Sequence, residues 1–208
     1  MKKMTFIIII TSIVLSNCSL FLPDRDKDNI FEYIPNFSEG DTYHFQCSLI
    51  TIYTDTGDTT NISYTYDKAI HKTIENDSFL YYSLVNDHSD SEHYMYDKEK
   101  GILSFSNDSI FSDNDNYIIL KTPVEVGNSW TDDQDHYYKI KRIDGIFHNN
   151  NITVYDVIFI EMTFNNSNAT GTVEYYYSPS IGMVKIHTSS QWATFNIEDD
   201  VVLTRIVK

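Results

Sequence analysis

From Tyr33 onward the chain is interrupted every eight to fifteen or so residues by clusters of Asn, Asp, Gly and Ser, and these interruptions limit what it can fold into. Asp55-Thr56-Gly57-Asp58, Glu75-Asn76-Asp77, Asp87-His88-Ser89-Asp90, Asn149-Asn150-Asn151 and Asn165-Asn166-Ser167-Asn168 are the clearest breaks. The runs between them are rich in Ile, Val, Thr, Tyr and Phe, the residues that suit a pleated, half-buried strand. No window of a dozen residues carries a convincing 3.6-residue apolar period, so helices are not expected. The pattern predicts strands near 42–53, 60–67, 69–75, 79–85, 92–97, 101–106, 117–121, 136–143, 152–164, 171–178, 182–188, 191–197 and 201–207. The fold class is therefore all-β, an antiparallel curved sheet or barrel-like meander, because many short strands must pair or cover their edges.

A faint duplication orders those strands. Pro35-Asn36-Phe37-Ser38-Glu39-Gly40-Asp41-Thr42-Tyr43 has a counterpart in Pro123-Val124-Glu125-Val126-Gly127-Asn128-Ser129-Trp130. In each, proline leads through a glycine and a polar pair to an aromatic residue. Later in each half a tyrosine precedes a glycine by five residues, Tyr96 before Gly101-Ile102-Leu103 and Tyr177 before Gly182-Met183-Val184. The glycine offsets, 87 and 81, nearly agree, which points to two related halves, 33–120 and 121–208, within one all-β domain spanning 33–208. The glycines suit turns that need positive φ, and the aromatics suit core contacts.

The N-terminus supplies an address. Lys2 and Lys3 precede an apolar run from Phe6 to Leu15, followed by Ser16-Asn17-Cys18. The run is shorter than the roughly 20 apolar residues a membrane-spanning helix needs, and it has the layout of a secretory signal. Leu15-Ser16-Asn17-Cys18 resembles the lipobox of bacterial lipoproteins, with Asn17 standing where Gly, Ala or Ser is usual. The resemblance implies a signal peptide over 1–17, lipidation of Cys18 through a thioether-linked diacylglyceryl group and an acylated amine, and attachment to a membrane of the bacterial cell envelope, on its periplasmic or surface side. Several acyl chains make such attachment stable where one would hold only marginally. The polar stretch 18–32, with Pro23 and Asp24-Arg25-Asp26-Lys27-Asp28, is expected to be a tether.

Charge narrows the partners. The full chain carries 15 basic and 30 acidic side chains, a net −15, and loss of Lys2 and Lys3 with the signal makes it −17. Nucleic-acid binding rests on Lys and Arg meeting phosphates, so no nucleic-acid partner is expected; a polybasic grip on anionic headgroups is excluded by the same imbalance. With Cys18 lipidated, Cys47 is the remaining thiol and no intrachain disulfide can form. Cys47 lies in the alternating run Tyr43-His44-Phe45-Gln46-Cys47-Ser48-Leu49 and is expected to face the core.

Signatures of chemistry are sparse. There is no G-x-S-x-G, H-E-x-x-H, G-x-x-x-x-G-K or G-x-G-x-x-G, so no catalytic residue, metal or cofactor is assigned and a non-enzymatic role is expected. Asp113-Asn114-Asp115-Asn116-Tyr117 begins like a calcium loop but lacks its glycine and its closing Glu. Asp87 to His93 and Thr131-Asp132-Asp133-Gln134-Asp135-His136 bring carboxylates near imidazoles, as acidic solvated turns also do. Tyr64 and Tyr66 alternate on one strand face, and Tyr175-Tyr176-Tyr177 places rings on both faces of another. Such rings suit a half-wet concave wall as well as a core.

Pro123 to Trp130, followed by Tyr175-Tyr176-Tyr177-Ser178-Pro179-Ser180-Ile181-Gly182-Met183-Val184-Lys185, resembles a Pro, Gly, Trp, then Tyr-Tyr-x-Pro-x-x-Gly-x-Val-Lys pattern of uncharacterised bacterial exported proteins. TapB-like proteins and domains of unknown function are examples. The likeness covers about 121–188, with a fainter echo over 33–106, and it implies an exported β architecture with no catalytic residues to carry over. The expected function is binding of an apolar ligand or of another envelope component; the competing expectation is a structural or surface-interaction lipoprotein without a small-molecule pocket. The inward rings and aliphatics of 60–67, 79–85 and 171–178 are the candidates to line a cavity. Metabolic labelling with an alkyne fatty acid should mark the wild-type protein and not Cys18→Ala; label retained in the mutant would refute lipidation at Cys18.

Overall fold

A computed structural model describes residues 25–35, 37–75, 79–86, 91–106, 117–132 and 134–208. The signal 1–17, Cys18, tether residues 18–24, Asn36, Asn76-Asp77, the Asp87–Asp90 and Asp113–Asn116 breaks and Asp133 lie outside the described residues. Twelve strands follow a short 3-10 turn at Ile30–Tyr33: β1 (Thr42–Tyr53), β2 (Thr59–Glu75), β3 (Phe79–Asn86), β4 (Ser91–Asp97), β5 (Ile102–Ser106), β6 (Tyr117–Lys121), β7 (Ser129–Thr131), β8 (Tyr137–His148), β9 (Thr153–Asn165), β10 (Ala169–Ser178), β11 (Gly182–Trp192) and β12 (Phe195–Val207). All pair antiparallel in one sheet, in the order β6-β5-β4-β3-β2-β1-β12-β11-β10-β9-β8-β7. The all-β, antiparallel, curved-sheet expectation holds.

The sheet is strongly curled, and two side-chain contacts measure how far. Tyr96 of β4 and Tyr177 of β10 lie six strands apart in the order, about 29 Å on a flat sheet with strands ~4.8 Å apart, yet their hydroxyls meet at 2.9 Å. At the two ends of the order, the indole Nε1 of Trp130 on β7 donates to the backbone oxygen of Ile118 on β6 at 2.8 Å. The edges therefore come together, but no ladder joins β6 to β7 among the described residues, and the barrel is not closed.

The strand order repeats itself: β6 to β1 reads outward in the same sense as β12 to β7. Under that repeat the β12–β1 junction corresponds to the β6–β7 seam. The first is a full ladder running from Thr42↔Val207 to Tyr53↔Phe195; the second is open because β7 has three residues where β1 has twelve. Backbone bonds repeat too. The Gly40 N–H donates to Ile70 O and the Ile70 N–H to Asp41 O, each at 2.9 Å; Gly127, Ile140 and Asn128 make the same exchange at the same distances. Gly40 and Gly127 both have positive φ, +93° and +96°.

Each half also packs its opening segment on the other half's later turn. Gly182, at φ +96°, lies under Phe37 and Pro35, and a Cβ there would fall 2.9 Å from the Phe37 ring. Gly101, at φ +62°, is met in the same way by Thr122, whose N–H donates to Gly101 O at 2.9 Å. Glycine is required at both turns by the dihedral and by the close neighbour.

Strand boundaries depart from the sequence expectation where charges interrupt apolar runs. The segments expected at 60–67 and 69–75 are one strand, β2, running through Lys68, whose ammonium is buried over the rings of Phe45 and Tyr66 at 4.9 and 5.0 Å. Segments 191–197 and 201–207 regroup. Gln191 and Trp192 end β11, and β12 runs unbroken through Glu198-Asp199-Asp200. β7 has no expected counterpart, since three residues are too few to show alternation. The tether expected over 18–32 does not extend to its C-terminal part. From Arg25 the chain is docked: Arg25 pairs with Asp156, Val124 N–H donates to Lys27 O at 2.7 Å, and Ile30 is buried in the core. Its apolar anchors are too few and too closely spaced to stand out among the charges.

Trp130 is 5% exposed and stacks on Tyr138 at 5.4 Å with planes 4° apart. Trp130→Ala should lower unfolding free energy by about 3–5 kcal/mol, whereas Trp130→Phe, which keeps most of the packing and loses the bond to β6, should cost about 1 kcal/mol. Urea melts of the two variants test this order.

Candidate functional site

The residues that face inward are set by register. Tyr43, Phe45 and Cys47 of β1 stand opposite Lys68, Tyr66 and Tyr64 of β2, and Val173, Tyr175 of β10 stand opposite Thr188, Ile186 of β11 and Met162, Ile160 of β9. Tyrosine dominates this inner face. Tyr43, Tyr82, Tyr94, Tyr96, Tyr138 and Tyr177 are all buried.

At the centre, Tyr177 Oη donates to the backbone oxygen of Tyr33 at 2.6 Å. Its one proton being used there, the Tyr177 oxygen accepts from Tyr96 at 2.9 Å. Burial raises both phenols well above their ordinary range, so the chain of donors stays protonated. This relay, with the Phe37–Tyr82 and Phe37–Tyr43 edge contacts at 4.8 and 5.6 Å, fills one part of the interior. The remaining gap beside Lys68 and Tyr96 has room for about 20 Å³, the scale of a single water.

The other part is not filled. A cleft of about 250 Å³ lies between β6 and β4 on one side and β9, β10 and β11 on the other, lined mainly by Ile119, Met162, Val173, Tyr175, Ile186 and Thr188. From it an apolar strip continues along the same face of β1, β2 and β12. In that strip Leu49 pairs with Ile62, Tyr53 with Phe195, and Trp192 stacks on Phe195 at 5.5 Å. Ile62 and Tyr64 are each 53% exposed there. Large apolar side chains grouped on one concave wall, and not scattered singly, mark a contact surface.

The expected lining is correct in part. Segment 171–178 contributes Val173 and Tyr175 to the cleft, whereas Tyr177 belongs to the central relay. Leu80 and Tyr82 of 79–85 are core, and Tyr64 with Ile62 of 60–67 line the outer strip. Tyr94, Ile119, Met162, Ile186 and Thr188 were not among those segments. Alternation within β9 and β11 marks Met162, Ile186 and Thr188 as inward, but convergence on a cleft with Tyr94 of β4 and Ile119 of β6 depends on the curl. Cys47 is buried and free, and burial, ahead of neighbouring groups, pushes its thiol up.

The acidic segment around Asp132 is explained locally, whereas the carboxylates of Asp87 to His93 lie outside what the structure describes. Asp132 is buried; its Oδ1 accepts the N–H groups of Gln134 and His136 at 3.0 Å, and its Oδ2 meets His136 Nδ1 and the Tyr138 hydroxyl at 2.9 Å. That carboxylate caps its own turn. His93 is buried and stacks on Tyr81 at 5.6 Å. Tyr117 stacks on His136 at 5.8 Å, across the seam. Among the described residues no three His, Cys, Asp or Glu side chains converge to hold a metal ion.

Removing the central hydroxyls should have unequal effects. Tyr177→Phe strands both the Tyr33 carbonyl and the buried Tyr96 hydroxyl, and should cost about 2–3 kcal/mol; Tyr96→Phe removes one donor from an oxygen that keeps its own bond, and should cost about 1 kcal/mol. The double variant should cost less than the sum, a non-additivity that denaturant titration resolves.

No family model and no curated protein matches the sequence. Among solved structures, the chain is similar to a protein from Bacteroides fragilis described as exported and as having a YmcC-like fold, at 14% identity and TM-score 0.49, covering 84% of this chain and 98% of that one. It is also similar to a protein from Parabacteroides distasonis described as a lipoprotein, at 11% identity and TM-score 0.38, with the same coverages of 84% and 98%. A third similarity, to a DUF1329 family protein from Desulfovibrio piger, has 11% identity and TM-score 0.22 over 81% of this chain and 85% of that one.

Proposed function

We propose that this chain is a lipid-anchored protein of the bacterial envelope that binds a slender apolar molecule in the cleft of its curled sheet, and is not an enzyme. The anchor rests on the signal 1–17 and Cys18. Binding rests on one observation, the apolar cleft opening onto an apolar strip. At about 250 Å³ the cleft is smaller than the roughly 300–1,000 Å³ of pockets that enclose a drug-sized ligand. It suits an extended hydrocarbon chain lying partly in the cleft and partly along the strip. Withdrawing such a chain from water contributes about 0.8 kcal/mol per methylene, and no hydrogen-bonding partner is needed along its length.

A second reading, in which the strip docks another envelope protein and the cleft stays empty, is favoured by the exposed Ile62, Tyr64 and Trp192. Titration with the neutral dye Nile red separates the two. The protein used is the chain from residue 18 carrying Cys18→Ser, which retains every described strand. Saturable micromolar binding that weakens at least about tenfold in Thr188→Trp, whose indole would occupy the cleft, supports the ligand reading. Absent or non-saturable binding, or binding indifferent to Thr188→Trp, refutes it and leaves the docking reading.

A further inference from the structure

Next to the cleft, on the inner face of β12, stands one charged group that its surroundings do not match. Along β12, residues alternate between faces, and the acidic run splits accordingly. Glu198 and Asp200 point outward, where Ser189 donates to Glu198 at 2.7 Å, Lys185 pairs with Asp200 at 2.7 Å and His187 lies 3.2 Å from Asp200. Asp199 points inward. Its cross-strand neighbours are Leu49 on β1 and Thr188 on β11, and Ile197 and Val201 flank it on the same face. Thr188 itself lines the cleft.

Asp199 thus sits half-buried beside Thr188, next to the cleft and among uncharged side chains on its own face, and among the described residues its carboxylate makes no hydrogen bond or ion pair. Burial, and then repulsion from Asp200, raise its carboxyl above the usual range, with His187 opposing from the outer face. Lys68, which lies on β2 beside the separate small gap, is covered by the Phe45 and Tyr66 rings. A half-buried carboxylate is partly stripped of water, and a cation placed beside it would offset that loss.

We infer that the cleft's ligand is a cationic amphiphile, an apolar chain ending in an amine, with the chain in the cleft and the ammonium group on Asp199. This rests on the ligand reading above and adds the head group to it. The ammonium donates hydrogen bonds to the Asp199 carboxylate, and the hydrocarbon runs past Thr188 towards Ile186, Val173 and Met162. An anionic head group would meet repulsion at the same place, and a neutral one would leave the carboxylate without a counter-charge.

Calorimetric titration of the chain from residue 18 with Cys18→Ser, using dodecylammonium, dodecanol and dodecanoate below their micellar concentrations in 0.15 M salt, tests this. The wild type should bind dodecylammonium at least about tenfold more tightly than dodecanol, the weight of one hydrogen bond to a charged group, and dodecanoate most weakly. Asp199→Asn should abolish the preference while leaving dodecanol binding unchanged. Asp58→Asn, in the exposed β1–β2 turn, alters net charge equally and should keep the preference, which excludes attraction by the acidic surface as a whole. Equal affinities in the wild type, or a preference that survives Asp199→Asn or is lost in Asp58→Asn, would overturn the head-group assignment with the cleft intact. Failure of all three probes to bind would overturn both it and the ligand reading.

Discussion

The hydrogen-bonded path from Tyr96 through Tyr177 to the Tyr33 carbonyl holds the curl on which the other features depend. A twelve-stranded antiparallel sheet buries an apolar face either by packing against another layer or by rolling onto itself. Here the described residues contribute no second layer beyond a short 3-10 turn, so the inner face must meet itself. The Tyr96 and Tyr177 rings span that gap, each contributing apolar area along its body and a polar tip where the two sides converge. Because Tyr177 also accepts and donates in one chain, the 3-10 turn at Ile30–Tyr33 is fixed to the same point. Curl, N-terminal docking and core packing are thus coupled through one buried hydroxyl.

The repeat in strand order gives that coupling its geometry. Tyr96 and Tyr177 occupy corresponding places in the two halves, as do Gly101 and Gly182 in the turns that follow them. A contact between equivalent residues is what two similar halves wrapped about a common axis would produce. The halves are unequal at their first strands. β1 is long, extends past the core with β2, and zips to β12; β7 is short and leaves Trp130 to bridge to β6 with its side chain. That inequality creates both the open seam and the overhanging strip bearing Tyr53, Ile62 and Tyr64. One part of the interior is filled by the tyrosine relay, and the cleft lies in the other, towards β6 and the β9–β11 wall.

Several features of this arrangement could be read in the residues beforehand, each for a local reason. Alternation in Tyr43-His44-Phe45-Gln46-Cys47 places Cys47 inside, and the structure has it buried. The paired glycines mark turns that require positive φ. Other features run against their local appearance for equally local reasons. Lys68 breaks an apolar run on paper but continues β2, because its stem packs on Phe45 and Tyr66. Glu198-Asp199-Asp200 resembles a turn, yet two of its carboxylates have outward partners on β11, and the strand continues. The docking of Arg25–Tyr33 left little trace, since its partners, Asp156 and Tyr177, are more than a hundred residues away.

What the sequence determined by itself is what depends on neighbours in the chain: the all-β class, the division of strands into two faces, and the glycine turns. What only the tertiary structure decided is what depends on how far the sheet rolls. A period of two says which residues share a face, but not the radius of that face or which distant residues it brings together. The meeting of β6 with β7 through Trp130, the convergence of Tyr96 on Tyr177, and the cleft between β6 and the β9–β11 wall all follow from the curl. That curl is the sum of small twists along twelve strands, and no single segment of the chain encodes it.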